Sequence, residues 1–188
     1  MRIGIIAEDL SDFEVLRTLT RRMLLPHEVG FSRFVGHGCG KLRRKCRAWA
    51  EILVRKGCSF IVVVHDLDRN DRRILRRQLE DAVAGLSAQG TIVLIPMAEI
   101  EAWLLYDNQA LGKAFRRTKC PKLPGNPESL PDPKSTLARL VWRIYKRRYV
   151  TTLHNARIAE HVRIALLKRA TSFAPYRPFI KRVVAAMD

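Results

Sequence analysis

Six acidic residues follow three apolar runs: Glu8 and Asp12 the first, Asp66 and Asp68 the second, Glu99 and Glu101 the third. Carboxylates gathered at one edge repel one another unless a cation neutralises them. A cluster of oxygen donors alone, with no His or Cys among them, selects hard ions, so Mg²⁺ or Mn²⁺ is the expected cofactor. The same acids also have plainer uses. Ser11 reads as a helix N-cap, with Glu14 three residues on completing a capping box. Asp66-Leu67-Asp68 also fits an ordinary turn, and Asp71 reads as a helix-start acid. His65 alternates to the strand face opposite Asp66 and reads as a packed core histidine. Glu99 and Glu101 are two residues apart, so one helix cannot point both the same way. The case for a metal site therefore rests on combination and order, not on any single acid.

Positioning such acids requires a particular scaffold. Residues 3–7 and 59–64 are short apolar runs rich in β-branched residues, as expected of strands covered on both faces. Further strands are expected at 31–35 and 91–95. Between them, helical periodicity covers a segment from Ser11 to Pro26, then 40–55 and 71–86, with 99–106 following the last strand. This alternation predicts an α/β fold with a mostly parallel central sheet flanked by helices, Rossmann-like in class. Ligands of such sheets bind beyond the carboxyl ends of the strands, where these acids lie. Trp103 matches the apolar stripe of its helix and reads as core, whereas Trp142 fits either core or interface. Five prolines between 121 and 133 mark a boundary. The expected division is an α/β domain over 1–110, a Pro-rich connection over 111–134, and a helical extension over 135–188 packed on the domain. Within the extension, helices are expected at 135–146, 154–169 and 178–187.

The chain has 188 residues, with 35 Lys and Arg against 18 Asp and Glu, a formal net charge of +17. That balance attracts polyanions, nucleic acid first and an anionic membrane face second, unless it only keeps the surface solvated. The cations cluster at Arg43, Arg44, Lys45 and Arg47; at Arg72, Arg73, Arg76 and Arg77; at Arg143, Lys146, Arg147 and Arg148; and at Arg163, Lys168 and Arg169. Each cluster lies in or beside a helical segment, and aromatics among them are too few for a base-stacking sheet, so phosphate contact is expected over base reading. The first two clusters are the expected nucleic-acid-binding residues. The four cysteines form no CxxC pair, so zinc is not expected. Gly36-His37-Gly38-Cys39-Gly40 reads as a loop before a helix. The amino terminus is too short in apolar residues for a signal peptide, and no stretch reaches the length of a membrane span. A cytoplasmic protein with reduced thiols and no membrane partner is the expectation.

The order of the motifs carries a family resemblance. Ile6-Ala7-Glu8-Asp9-Leu10-Ser11-Asp12-Phe13-Glu14-Val15-Leu16 resembles the first TOPRIM motif, in which a strand ends in Glu and an acidic turn opens a helix. Val62-Val63-Val64-His65-Asp66-Leu67-Asp68 resembles the second, the Asp-x-Asp after a hydrophobic strand. Pro96-Met97-Ala98-Glu99-Ile100-Glu101-Ala102-Trp103-Leu104-Leu105-Tyr106-Asp107 resembles a segment of small TOPRIM-like proteins and OLD-type nucleases. Asn126-Pro127-Glu128-Ser129-Leu130-Pro131-Asp132-Pro133-Lys134 and Ser172-Phe173 resemble the DUF4276 group. One departure is Asp9, where the TOPRIM pattern usually has Gly for a tight turn.

The resemblance implies metal-dependent phosphodiester hydrolysis on DNA or RNA. Glu8, Asp66 and Asp68 would be catalytic, with Glu8 the general base. Glu8, Asp12, Asp66, Asp68, Glu99 and Glu101 would hold the metal. It further implies an anti-phage effector with a possible protein partner from a defence system. Two other readings stand beside this one: a nucleic-acid-binding subunit with a non-catalytic TOPRIM fold, and an enzyme acting on a nucleotide or other phosphate compound. The absence of a Walker-type loop argues against an ATPase. Oligomeric state is not legible.

Overall fold

The computed structural model describes residues 1–36 and 39–188, and of Cys39 only the backbone. The loop expected at 36–40 includes His37 and Gly38, which lie outside the described residues. Strand β1 (Arg2–Ala7) leads to α1 (Leu10–Leu24), β2 (Gly30–Val35), α2 (Cys39–Arg55), β3 (Phe60–Val64), α3 (Arg72–Val83) and β4 (Gly90–Leu94). Then come α4 (Glu101–Leu104), α5 (Asn108–Ala114), α6 (Pro133–Tyr145), α7 (Thr151–His161) and α8 (Tyr176–Ala185). The four strands form one sheet in the order β2-β1-β3-β4, and all the pairings are parallel. The α/β class with helix-flanked parallel strands is thus the one the alternation predicts.

Side-chain alternation splits the sheet between two apolar layers. Ile3, Ile5 and Ala7 of β1, with Phe60, Val62 and Val64 of β3, join the core built with α1 and the later helices. Ile6 of β1, with Ile61 and Val63 of β3, joins a second core beneath α2 and α3. Both central strands are therefore covered on both faces, which is why they read as unbroken apolar runs. Gly4 allows the close approach of α2, since a Cβ there would lie 2.9 Å from both Ile61 Cδ1 and Leu53 Cδ1. Trp103 is fully buried as expected, and its indole Nε1 donates to Ser172 Oγ at 2.7 Å.

Several element ends differ from expectation, each for a visible reason. Helix α1 is capped by Asp9, not Ser11: Asp9 Oδ1 accepts from the Asp12 amide at 3.0 Å and Asp12 Oδ2 from the Asp9 amide at 3.3 Å. Asp9 has φ −135°, extended backbone that any residue adopts, so the Gly-to-Asp departure costs no strain. Ser11 is buried inside the helix, and Glu14 pairs with Arg17 at 2.6 Å. Helix α3 stops at Val83, just before Gly85 turns with φ +65°. The third site segment forms only the single turn of α4, with Glu99 ahead of it.

The helix expected over 154–169 ends at His161 because tertiary partners take over its backbone. Arg22 Nη1 donates to the Ala159 and Val162 carbonyls at 2.6 Å each, and the Arg163 amide donates to Asp107 Oδ2 at 2.9 Å. The segments 126–134 and 172–173 meet through Glu128, whose Oε2 accepts from the Thr171 amide and hydroxyl at 2.7 Å each. Its Oε1 accepts from the Ser172 amide at 2.9 Å and from the Ser172 hydroxyl. No helix among the described residues is long and apolar enough to cross a membrane.

Candidate active site

The chain runs from β1 outward to β2, then returns across β1 to place β3 on its other side, so the strand order reverses between β1 and β3. Two crossovers diverging from adjacent strands open a crevice at their carboxyl ends. Glu8 follows β1 directly, and Asp66 and Asp68 follow β3. The first turn of α1 places Asp12 beside them, and the β4-to-α4 turn contributes Glu99 and Glu101.

Glu8 bridges the two strand ends. Its Oε1 accepts from the Asp66 amide at 2.9 Å and lies 2.6 Å from His65 Nδ1. That nitrogen is also 2.7 Å from the Asp66 carbonyl oxygen. Both neighbours are acceptors, so the proton resides on Nδ1. His65 is buried, as the alternation predicts, yet it orients a site carboxylate; His65 Nε2 has no partner among the described residues.

The burial of the acids sets their chemistry. Desolvation pushes the Asp66 carboxyl well above the usual carboxylate range, and the nearby charges of Asp12, Glu101, Glu8 and Asp68 push it further. Asp66 Oδ1 is buried without a hydrogen-bond partner among the described residues. Asp12 is raised in the same way, by burial first and then by Asp9, Glu101 and Glu8, against its hydrogen bond with the Asp9 backbone. Burial also raises Asp68, which sits in the left-handed region at φ 46° and donates its amide to the Ala98 carbonyl at 3.2 Å. Glu101 is buried and raised, opposed by a hydrogen bond from Asn155. Glu99 stands at the rim, where its Oε2 accepts from the Lys134 amide at 2.8 Å. Among the described residues, no three of these side chains stand ready as a complete ligand set. The donor set is nonetheless all oxygen, and a buried oxygen without a partner is the kind of atom a hard cation satisfies, so these residues fit Mg²⁺ or Mn²⁺.

Three residues that the sequence did not single out join the site. Lys134, in the first turn of α6, is half-buried. Burial alone would lower its pKa, but Glu101, Glu99, Asp9 and Asp12 raise it, so it is a firm cation among carboxylates. A lysine in a helix's first turn opposes the helix dipole, and that was the signal available in the sequence. Asn155 of α7 donates from Nδ2 to Glu101 Oε1 at 3.0 Å and approaches Ser11 Oγ at 3.4 Å. Tyr149 in turn donates to Asn155 Oδ1. Burial of the Tyr149 phenol, beside Glu101, Glu99 and Asp9, keeps it protonated at any physiological pH.

The basic clusters divide. Helices α2 and α3 cover the same face of the sheet, and Arg43 Nη1 donates to Asn70 Oδ1 at 3.2 Å, which ties α2 to the loop carrying Asp68. Arg44, Lys45 and Arg73 are exposed, with no salt bridge among the described residues. Arg47, Arg76 and Arg77 pair along their own helices with Glu51, Glu80 and Asp81 at 2.6, 3.0 and 3.8 Å. Arg163 is engaged by Asp107 at 2.8 Å and does not belong to a free basic face.

One family model, described as a domain of unknown function (DUF4276), matches residues 7–177. The chain belongs to this family. The match takes in all six acids together with Lys134 and Asn155, so the whole crevice belongs to the DUF4276 domain. Among curated proteins and among solved structures, none matches the chain.

Proposed function

We propose that this DUF4276 protein is a metal-dependent nuclease that hydrolyses phosphodiester bonds of DNA or RNA. The observation that carries the reading is the buried Asp66 carboxyl, its Oδ1 without a partner among the described residues, at the strand crossover beside Glu8, Asp12, Asp68 and Glu101. Mutually repelling acids at the functional end of a sheet are costly to fold, and a divalent ion offsets that cost. The motif order, Glu8 then Asp66-x-Asp68 then Glu99 and Glu101, is that of the TOPRIM nucleases the chain resembles, and the exposed cations on α2 and α3 provide phosphate contacts beside it.

Glu8, Asp66 and Asp68 would hold Mg²⁺ or Mn²⁺, with Asp12, Glu99 and Glu101 completing the shell. What the ion supplies when bound is charge against the scissile phosphate and a more acidic attacking water. Glu8, oriented by the Asp66 amide and by His65, would be the base that takes the proton of the attacking water. Lys134 meets the negative charge that grows on the phosphate oxygens. Asn155, held by Tyr149, fixes Glu101. Arg44, Lys45 and Arg73 hold the flanking phosphates and so orient the strand.

The test is cleavage of mixed DNA and RNA substrates with Mg²⁺ or Mn²⁺, comparing wild type with Asp66→Ala and Lys134→Met at matched folding. Metal-dependent cleavage that falls at least a hundredfold in both variants, on the order expected for losing one such group, supports the reading. Wild-type protein that binds nucleic acid tightly and cuts none would sink it in favour of the non-catalytic binding subunit.

A further inference from the structure

Trp142 is the most exposed of the three tryptophans. Of the three tryptophans, Trp103 is fully buried and Trp49 stacks on Phe34, centroids 5.3 Å apart and planes within 4°; Trp142 is 61% exposed. On α6, the inner side is taken by Pro133, Leu137, Leu140, Val141 and Tyr145. We propose that Trp142 is a stacking platform for a base of a single-stranded nucleic acid whose backbone is held at the carboxylate crevice. The proposal rests on the reading of that crevice as a phosphodiester-cleaving site.

Helix geometry links the two places. Lys134, Ala138 and Trp142 are spaced i, i+4 and i+8, which puts them on one ridge of α6. The ridge starts at the lysine set among the carboxylates and ends at the indole about 12 Å away, at about 1.5 Å per residue. Ala138 between them is too small to block a strand lying along the ridge. Arg139 and Lys146, three residues before and four after Trp142 in the chain, are exposed, as is the adjacent Arg143, with no salt bridge among the described residues.

A lone aromatic ring bordered by cations matches the two halves of a nucleotide, a flat base and a charged phosphate. A second copy of this chain is disfavoured as occupant, because a surface of a molecule with net charge +17 would face its own charges. A duplex is disfavoured because its base faces are already stacked on one another. The occupant is therefore a single strand.

The experiment uses the whole 188-residue chain in chelator, with oligothymidylate and oligouridylate as separate probes, and compares wild type, Trp142→Ala and Trp142→Phe. Tryptophan emission of the wild type should be quenched by at least one probe, and most of that quenching should vanish in both variants. Affinity should fall about tenfold in Trp142→Ala and recover most of the loss in Trp142→Phe, since a phenyl ring still stacks. The two probes tell a DNA strand from an RNA strand. Unchanged affinity and quenching in both variants overturns the proposal, as does a wild-type dimer, seen by light scattering, that Trp142→Ala dissociates without weakening either probe. Because binding is read without metal, failure of the crevice reading is separate. Trp142-dependent quenching in a protein that cuts nothing keeps the stacking platform and removes the hydrolase. Cleavage with unchanged KM in Trp142→Ala does the reverse.

Discussion

At the scale of single residues, the crevice holds carboxylates that folding would rather protonate. Asp66 and Asp12 are raised above the usual range, by burial first and then by neighbouring carboxylates, Glu101 and Glu8 among them in both cases. An acid raised on folding binds its proton more tightly in the native state, so its contribution to stability is fully present below its unfolded value and is lost as pH rises through the native one. Without metal, the melting temperature should therefore fall as pH rises from about 4 towards neutrality. Asp66→Asn, similar in shape but uncharged, should melt a few degrees higher than wild type at neutral pH and show no advantage near pH 4. Adding Mg²⁺ should raise the wild-type melting temperature and leave Asp66→Asn nearly unmoved, because only a ligand-binding native state is stabilised by its ligand. Thermal scans at several pH values, with and without Mg²⁺, check both expectations. A wild type that is insensitive to Mg²⁺ would remove the metal from this site. Asp66→Asn should meanwhile lose cleavage, so stability and activity move in opposite directions at one residue.

At the scale of elements, Asp107 works in the opposite sense. It caps α5 through the Gln109 and Ala110 amides at 3.0 and 3.4 Å, and it accepts from Arg163 Nε and the Arg163 amide where α7 has ended. Burial pushes this carboxyl up, but the Arg163 hydrogen bonds outweigh it and hold it below the usual range. Its contribution to stability is accordingly present above its unfolded value, about pH 4, and lost as pH falls below that. Asp107→Ala removes a cap and leaves several donors unpaired. It should cost about 3 kcal/mol, or roughly 6–12 °C for a chain of this size, with no effect on the crevice chemistry. Chemical denaturation at neutral pH measures the first, and cleavage at a permissive temperature the second. The same interactions explain what the sequence could not reveal. The parallel sheet was legible because β1 and β3 are apolar on both faces, and the acids were legible because they stand directly after those strands. The end of α7 was not, since Arg22 and Asp107, which take over its last backbone groups, lie far away in the chain. Tyr149 and Asn155 were hidden for a similar reason, each reaching the crevice through tertiary packing that no local periodicity records, whereas Lys134 left only the trace of a cation in a helix's first turn. The cap of α1 was misplaced by two residues because Ser11 and Asp9 are both good capping residues, and only the buried position of Ser11 decides between them.

At the scale of the whole molecule, a net charge of +17 accompanies an acidic crevice, and under the proposed function the two act on the same polymer. Long-range attraction brings any polyanion to the surface, but it cannot select where the strand lies; that depends on cations free to contact phosphate. Arg76 and Arg77 are already paired along α3, though such exposed pairs exchange readily with phosphate. Arg44, Lys45 and Arg73 are unpaired among the described residues, on the face tied through Arg43 and Asn70 to the loop carrying Asp68. Each phosphate contact releases counterions, so the logarithm of affinity falls with the logarithm of salt by about 0.7 to 0.9 per contact. Replacing Arg44, Lys45 and Arg73 together with Gln should lower the steepness of that dependence by about 2 to 3, summing the three contacts. KM should rise steeply in the triple variant, while kcat at saturating substrate stays close to wild type because the carboxylates and Lys134 are untouched. Asp66→Asn should give the converse, with an unchanged salt dependence and no turnover. Binding titrations across a salt series, set beside steady-state cleavage, separate the two. A triple variant with wild-type salt dependence would show that α2 and α3 do not carry the strand. The track would then have to run over α6, where Arg139, Arg143 and Lys146 flank Trp142.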